Sequence, residues 1–296
     1  MKKSSILATT AVALLFTACA TVPITGRKQM NLVSNSEVLA SSLTQYQTYM
    51  SKATPIRGTQ AAAMVERVGK KIAAATESYL RQNGMESELK NYNWEFNLVK
   101  DDNANAFCMP GGKIVVYEGL LKYVKTDDDL AVVMGHEVAH AVAKHSNERM
   151  SQQMLAQYGG TALGLALGGS SQATQAIASQ VYGLGAQYGV MLPFSRKHEK
   201  EADYMGLVLM SIAGYNPQAS TQFWQRMSQG GSNATPEFMS THPSDATRIS
   251  ALQKALPEVE EKYAPRVSLP IAQPATSTPK KSTSTAKKKT SKTTRK

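Results

Sequence analysis

The stretch VMGHEVAHAVAKH, residues 133–145, constrains this chain more than any other. Residues four apart stack on one face of an α-helix, so His136 and His140 can converge on a single ion only if the segment is helical. Glu137 is turned by about 100° from His136. It therefore lies beside the imidazole face, within reach of a water held there, without joining the ligands. A His-Glu-x-x-His helix supplies two zinc ligands and a base. The flanks agree: Thr126 is a suitable N-cap, Asp127, Asp128 and Asp129 complement the positive helix end, and Leu130, Val133, Met134, Val138 and Ala141 form an apolar stripe.

Catalytic zinc takes three protein ligands and keeps a position for water. A third histidine at the spacing used by metzincins is absent, since Ala143 and Ser146 occupy the required places, and His145 is expected on the exposed end of the helix. The segment FSRKHEKEADYMG, residues 194–206, offers glutamates instead. Glu199 has Asp203 at i+4 on its own face, so Glu199 is expected to ligate zinc while Asp203 orients a ligating imidazole. Glu201 points away by about 160°; it remains the alternative ligand and is otherwise expected to tolerate replacement.

The N-terminus opens with a basic Met1-Lys2-Lys3, a short apolar run from Ile6 to Phe16, and Phe16-Thr-Ala-Cys19. That order resembles a bacterial lipoprotein signal over residues 1–18, with Cys19 lipidated as the first mature residue and the membrane reached through that lipid. Cys108 then has no partner, and a buried small hydrophobe is its expected role. From residue 266 to 296 the chain is rich in Ser, Thr, Pro and Lys, too poor in apolar surface to offset its ordering entropy, and is expected to be disordered. The formal net charge is +11, of which eight charges lie in residues 280–296 and two are Lys2 and Lys3, leaving about +1 for the rest. The basicity is therefore no nucleic-acid signature of the domain, and no nucleic-acid partner is expected.

Residues 19–265 are long enough for one sizeable core. Residues 36–85 carry helical periodicity, residues 94–99 alternate as a strand, and Pro110-Gly-Gly112 joins residues 105–109 to Lys113–Tyr117 as a hairpin. The expectation is an α+β class: a mostly helical, zincin-like metalloprotease domain with a small antiparallel sheet preceding the HExxH helix. The uncharged, small-residue run from Met150 to Ser195 contains recurring glutamines and is read as packed helices rather than a bilayer span.

His136-Glu-Val-Ala-His140 followed by Glu199-Lys-Glu-Ala-Asp203 resembles the paired motifs of the gluzincin metallopeptidases of family 48, which include the CAAX prenyl proteases, HtpX and the OMA proteases. Val22-Pro-Ile-Thr-Gly-Arg27, Asn105–Gly112 and His242-Pro-Ser-Asp-Ala-Thr-Arg248 extend the resemblance across residues 19–260. The lipidated arrangement is most similar to the bacterial envelope members LoiP and BepA. The resemblance implies one Zn2+ on His136, His140 and Glu199, with Glu137 as general base. It implies that Asn105, Ala106 and Phe107 form an edge strand pairing with substrate backbone. It also implies catalytic parts for His242, which either supports the oxyanion or caps the zinc in a resting state, and for Arg248, which supports the oxyanion or pairs with a site carboxylate.

The resulting expectation is an envelope zinc endopeptidase, lipid-anchored at the outer membrane facing the periplasm, with unfolded or misassembled envelope proteins as substrates. A non-hydrolytic assembly factor for outer-membrane proteins, using the same groove, is the alternative. An intact base at Glu137 favours the enzyme.

Overall fold

The computed structural model describes residues 19–153, 195–229, 237–242 and 246–264. Residues 1–18, where a lipoprotein signal is expected, most of the uncharged run, residues 230–236 and 243–245, and the basic C-terminal stretch lie outside the described residues. Cys19 is described only as the first residue of a strand.

Strands β1 (Cys19–Thr21) and β2 (Lys28–Met30) form a short antiparallel hairpin. Its loop, residues 22–27, is closed by bonds from the Val22 and Gly26 amides to the Arg27 and Val22 carbonyls. Helices α1 (Asn35–Met50) and α2 (Gln60–Gln82) flank the two-residue strand β3 (Pro55–Ile56). Strands β4 (Glu95–Val99), β5 (Ala106–Met109) and β6 (Lys113–Tyr117) precede α3 (Asp127–Val142). Residues 145–153 continue as helix after a break at Ala143 and Lys144. Then follow α4 (Arg196–Ile212), α5 (Ala219–Gln229), the single turn α6 (Glu237–Thr241) and α7 (Ala246–Tyr263). Among the described residues no helix is long and apolar enough to cross a membrane.

The α+β class and the order of sheet then motif helix are as expected. The sheet itself is mixed rather than wholly antiparallel. Its order is β3-β4-β6-β5, and β4 pairs parallel with β6. After β4 the chain passes over one strand position to form β5 at the edge, and the glycine turn at Gly111 and Gly112, both at positive φ, returns β6 into the gap. Alternation along the strands sorts the two faces. Leu98, Ala106, Cys108, Ile114 and Val116 join the main core with the later helices, whereas Val99, Phe107, Met109, Val115 and Tyr117 pack with Tyr46 of α1.

Helix α3 is buried almost throughout, not along one stripe, because it lies at the centre of the main core. Thr126 caps it as expected, accepting the Asp129 amide at 3.3 Å, and Asp129 in return accepts the Lys125 amide at 2.8 Å. Two glycines let α3 meet α4 at backbone contact: a Cβ on Gly206 would stand 3.0 Å from the His136 nitrogen, and one on Gly135 would stand 3.0 Å from the Gly206 carbonyl oxygen. That crossing brings the face carrying Glu199 and Asp203 against the face carrying His136 and His140.

The obstructing atoms are backbone, so an added methyl can be accommodated only by parting the helices. Gly206→Ala is expected to cost about 1–3 kcal/mol of stability, as overpacked core sites do, and to weaken zinc retention. Unchanged denaturant midpoint and metal content would show that the close crossing is dispensable.

Candidate active site

His136 and His140 lie one turn apart on α3, and Glu199 reaches them from the first turn of α4, which Ser195 caps through the His198 amide at 3.2 Å. His242 follows α6, whose position is set by the Phe238 amide donating to the Ala104 carbonyl at 2.9 Å. All four side chains are buried, and their donor atoms lie within 4.8 Å of one another. His136 Nε2 stands 3.1 Å from His140 Nε2 and 3.2 Å from His242 Nδ1. Glu199 Oε1 is 3.2 Å from His242 Nδ1 and 3.4 Å from His140 Nε2, and its Oε2 is 3.4 Å from His136 Nε2.

These separations fit a tetrahedral zinc, because donors placed roughly 2.0–2.1 Å from one ion are spaced by roughly 3.3–3.4 Å. The charges fit too. Glu137 Oε1 and Glu199 Oε2 are buried acceptors with no hydrogen bond of good geometry, although Arg248 Nη1 lies 3.2 Å from the latter. Burial pushes the Glu137 carboxyl up, whereas the surrounding imidazoles hold Glu199 well below the usual carboxylate range in spite of its burial. Burial drives His140 far down, toward the neutral form that ligates metal. Burial also disfavours charge on His136, but Asp203 and Glu199 outweigh it and raise that imidazole to about 9. The same field suits a dication. His136, His140, Glu199 and His242 thus form a site able to hold one zinc ion.

The expected pairing of Asp203 with a ligand is found: its Oδ1 is 3.0 Å from His136 Nδ1. Arg248 grips that carboxylate with two bonds of 2.7 Å, from Nε and Nη2, and its Nη1 donates to the His242 carbonyl at 3.1 Å. Of the two parts expected for Arg248, the geometry therefore matches pairing with the site carboxylates and not support of an oxyanion. The guanidinium is buried beside Asp203 and stacked on Trp224 at 4.9 Å.

Three other expectations change. His145 is not on an exposed helix end; it is fully buried, with Nδ1 2.9 Å from His140 Nδ1. The chain breaks at Lys144, which takes positive φ, and the new helical stretch turns His145 inward. Glu201 lies outside the ligand cluster and is buried against His145, Thr25 and Arg27. Phe107 pairs with Val115 inside the sheet, and its ring packs on Tyr49 at 5.2 Å, on the face away from the metal cluster.

The edge position of β5 holds. The Tyr117 amide bonds to Asn105, so ladder alternation turns the Ala106 and Cys108 amides outward. The first is taken by the Asn105 side chain at 2.9 Å and the second by Glu137 Oε2 at 3.2 Å, while Asn105 Nδ2 donates to Glu237 at 3.2 Å. Cys108 is the buried free thiol expected, and burial pushes it well above its ordinary range.

The model of peptidase family M48 matches residues 59–256. The mitochondrial metalloendopeptidase OMA1 of Schizosaccharomyces pombe is 36% identical over 253 residues, covering 83% of this chain and 69% of that protein. Human mitochondrial metalloendopeptidase OMA1 is 30% identical over 253 residues, covering 83% of this chain and 48% of its own length. The beta-barrel assembly-enhancing protease of Escherichia coli K12 is 30% identical over 166 residues, covering 53% of this chain and 33% of its own.

Glu199→Gln is expected to weaken zinc binding severely, since a neutral amide replaces the anionic ligand. Asp203→Ala should cost roughly 10–100-fold in affinity, the usual effect of losing the partner that orients a ligand. Metal content after dialysis against a graded chelator ranks the two, and the reverse ranking would move the third ligand off Glu199.

Proposed function

The chain belongs to peptidase family M48 and is a zinc metalloendopeptidase, and on that premise we propose that it acts in a bacterial cell envelope, cleaving misfolded or misassembled proteins. The observation that carries the hydrolytic part is Glu137. It is a buried carboxylate one residue from a ligand, with Oε2 fixed by the Cys108 amide and Oε1 facing the ligand cluster without a hydrogen bond. A site that only stabilised the fold, or only bound unfolded chains, would not need such a group there.

Zinc supplies Lewis acidity to the scissile carbonyl and to the attacking water. Glu137 takes the proton from that water and returns it to the leaving amine; burial, by raising its carboxyl, suits it to both transfers. Asp203 and Arg248 hold His136 in one orientation. Substrate backbone pairs with β5 at the outward-facing groups of Ala106 and Cys108, displacing the Asn105 and Glu137 contacts and leaving specificity loose. Asn105 contributes through its amide and Phe107 only through its place in the sheet.

His242 acts as a cap in this reading. Its Nδ1 takes the fourth place among the donors while its Nε2 lies 3.4 Å from Glu137 Oε1, so one ring blocks both the open position and the base. Substrate entry then requires the His242 ring to withdraw.

The envelope setting rests on the lipoprotein-like leader of residues 1–18, which precedes Cys19, and on relatives named as beta-barrel assembly-enhancing proteases in Yersinia pestis and Escherichia coli. The OMA1 relatives are mitochondrial by name, so the setting depends on the leader. Anchorage through Cys19 places the domain at the membrane, and unfolded or misassembled envelope chains are the substrates.

Casein digestion with and without chelator tests the chemistry. Glu137→Gln should keep zinc and lose cleavage by about 10²–10⁴-fold, the usual worth of a general base; full activity would end the mechanism. His242→Ala should retain zinc and raise basal cleavage, whereas a loss of turnover would assign it to the oxyanion. For the setting, Cys19→Ala should move the chain expressed in a bacterium from the membrane to the soluble fraction, and an unchanged distribution would refute lipid anchorage.

A further inference from the structure

Behind His140 lies a second buried array that the scheme above does not use. His145 sits between His140 and Glu201, its Nδ1 2.9 Å from His140 Nδ1 and its Nε2 3.0 Å from Glu201 Oε2. Thr25 Oγ1 donates to Glu201 Oε1 at 2.5 Å, and Arg27 Nε donates to Oε2 at 2.7 Å. Thr25 and Arg27 belong to the loop of the β1–β2 hairpin, more than a hundred residues earlier in the chain. Arg27 also spans to Glu148 with bonds of 2.9 and 2.7 Å, Glu148 holds His198 at 3.0 Å, and the His198 ring stacks on His145 at 4.4 Å between centroids.

The chemistry of the two imidazoles gives this array a direction. His140 faces the ligand cluster with Nε2, so as a neutral ligand it carries its proton on Nδ1 and donates to His145. His145 can accept at Nδ1 only when its own proton is on Nε2, and that proton points at Glu201. An anionic acceptor at Glu201 therefore selects the tautomer of both rings and fixes their planes, as a carboxylate beside a ligating histidine does directly. On the other side of the ion the arrangement is shorter: His136, then Asp203, then Arg248. His136 directly, and His140 through His145, are thus each backed by a carboxylate that an arginine holds.

We propose that His145 and Glu201 are positioning residues for the metal ligand His140, and that Arg27, carried by the N-terminal hairpin loop, completes the relay by holding Glu201. The hairpin is then part of the active-site apparatus. A salt-bridge cluster serving stability alone has no need to end on a ligand, because apolar residues of similar volume stabilise such a position equally well. The proposal rests on the zinc site described above and goes beyond it in assigning His145 and Arg27, which lie on neither ligand motif, and Glu201, which lies within the second motif without ligating.

The test uses the full chain and reads zinc affinity by competition with a chromophoric chelator, alongside the absorption spectrum of the cobalt(II) form. His145→Leu and Glu201→Leu should each weaken zinc by about 10–100-fold and shift the cobalt bands. The double variant should be no weaker than the weaker single one, since both cut the same relay. His145→Asn, whose amide oxygen can accept from His140, should recover most of the affinity. Unchanged affinity in either single variant, additive losses in the double, or no recovery with Asn would overturn the assignment. If the apolar variants do not fold, Arg27→Lys keeps the charge but loses the fork; it should weaken zinc by about threefold or more, and an unaltered affinity and spectrum would overturn the proposal. A wild type that binds zinc but cleaves nothing would defeat the peptidase reading and leave this one standing.

Discussion

Everything in this site depends on gathering negative charge where water cannot reach. Glu137, Glu199 and Asp203 are each almost wholly buried, and so are the three imidazoles among them. Such a concentration is expensive unless matched by positive charge close by. Arg248 matches it from one side, gripping Asp203 and approaching Glu199, while Arg27 answers Glu148 and Glu201 on the other. Between the arginines, the cluster of nitrogen and oxygen donors suits a dication. The cation site and the two arginine contacts are parts of one charge balance, with Arg27 and Arg248 closing it from opposite sides of the ligand cluster.

The helix crossing makes that balance possible. Side chains of ordinary size at positions 135 and 206 would hold α3 and α4 apart, and the short Asp203 carboxylate could not then reach His136. With glycines there, two backbones touch, and small-residue contact turns a sequence pattern on each helix into a shared coordination geometry. The sheet performs the complementary task on the other side of α3. Its edge strand offers outward amides at Ala106 and Cys108, and the second is already engaged by the base. Glu137, the ligand cluster and the edge strand are therefore set by three contacts of α3: with α4, with β5, and with His242.

Local rules made much of this legible. The i,i+4 histidines, the Thr126 cap, the hairpin at Pro110–Gly112 and the i,i+4 pairing of Glu199 with Asp203 all depend on neighbours within a turn or two, and the structure contains each of them. The parallel pairing of β4 with β6 was not legible, because a strand's alternation reports which face is buried and not which neighbour it takes. Nor was the inward turn of His145, which hangs on the positive φ of a single lysine, Lys144, a position where lysine gives no warning. Spacing offers Glu201 only as an alternative ligand and gives Arg27 no role of its own, and only their encounter in space joins them to His145.

The sequence by itself determined the chemistry: two histidines and a base on one helix, a glutamate and an aspartate on another, and hence a zinc peptidase. Those inferences survive because helical periodicity places side chains by angle alone. What only the tertiary structure decided is which distant groups stand behind the ligands, which amides of β5 turn away from the sheet, and where the ring of His242 lies. Contacts between residues far apart in the chain depend on how whole elements dock, and docking is settled by the summed packing of the core rather than by any local pattern.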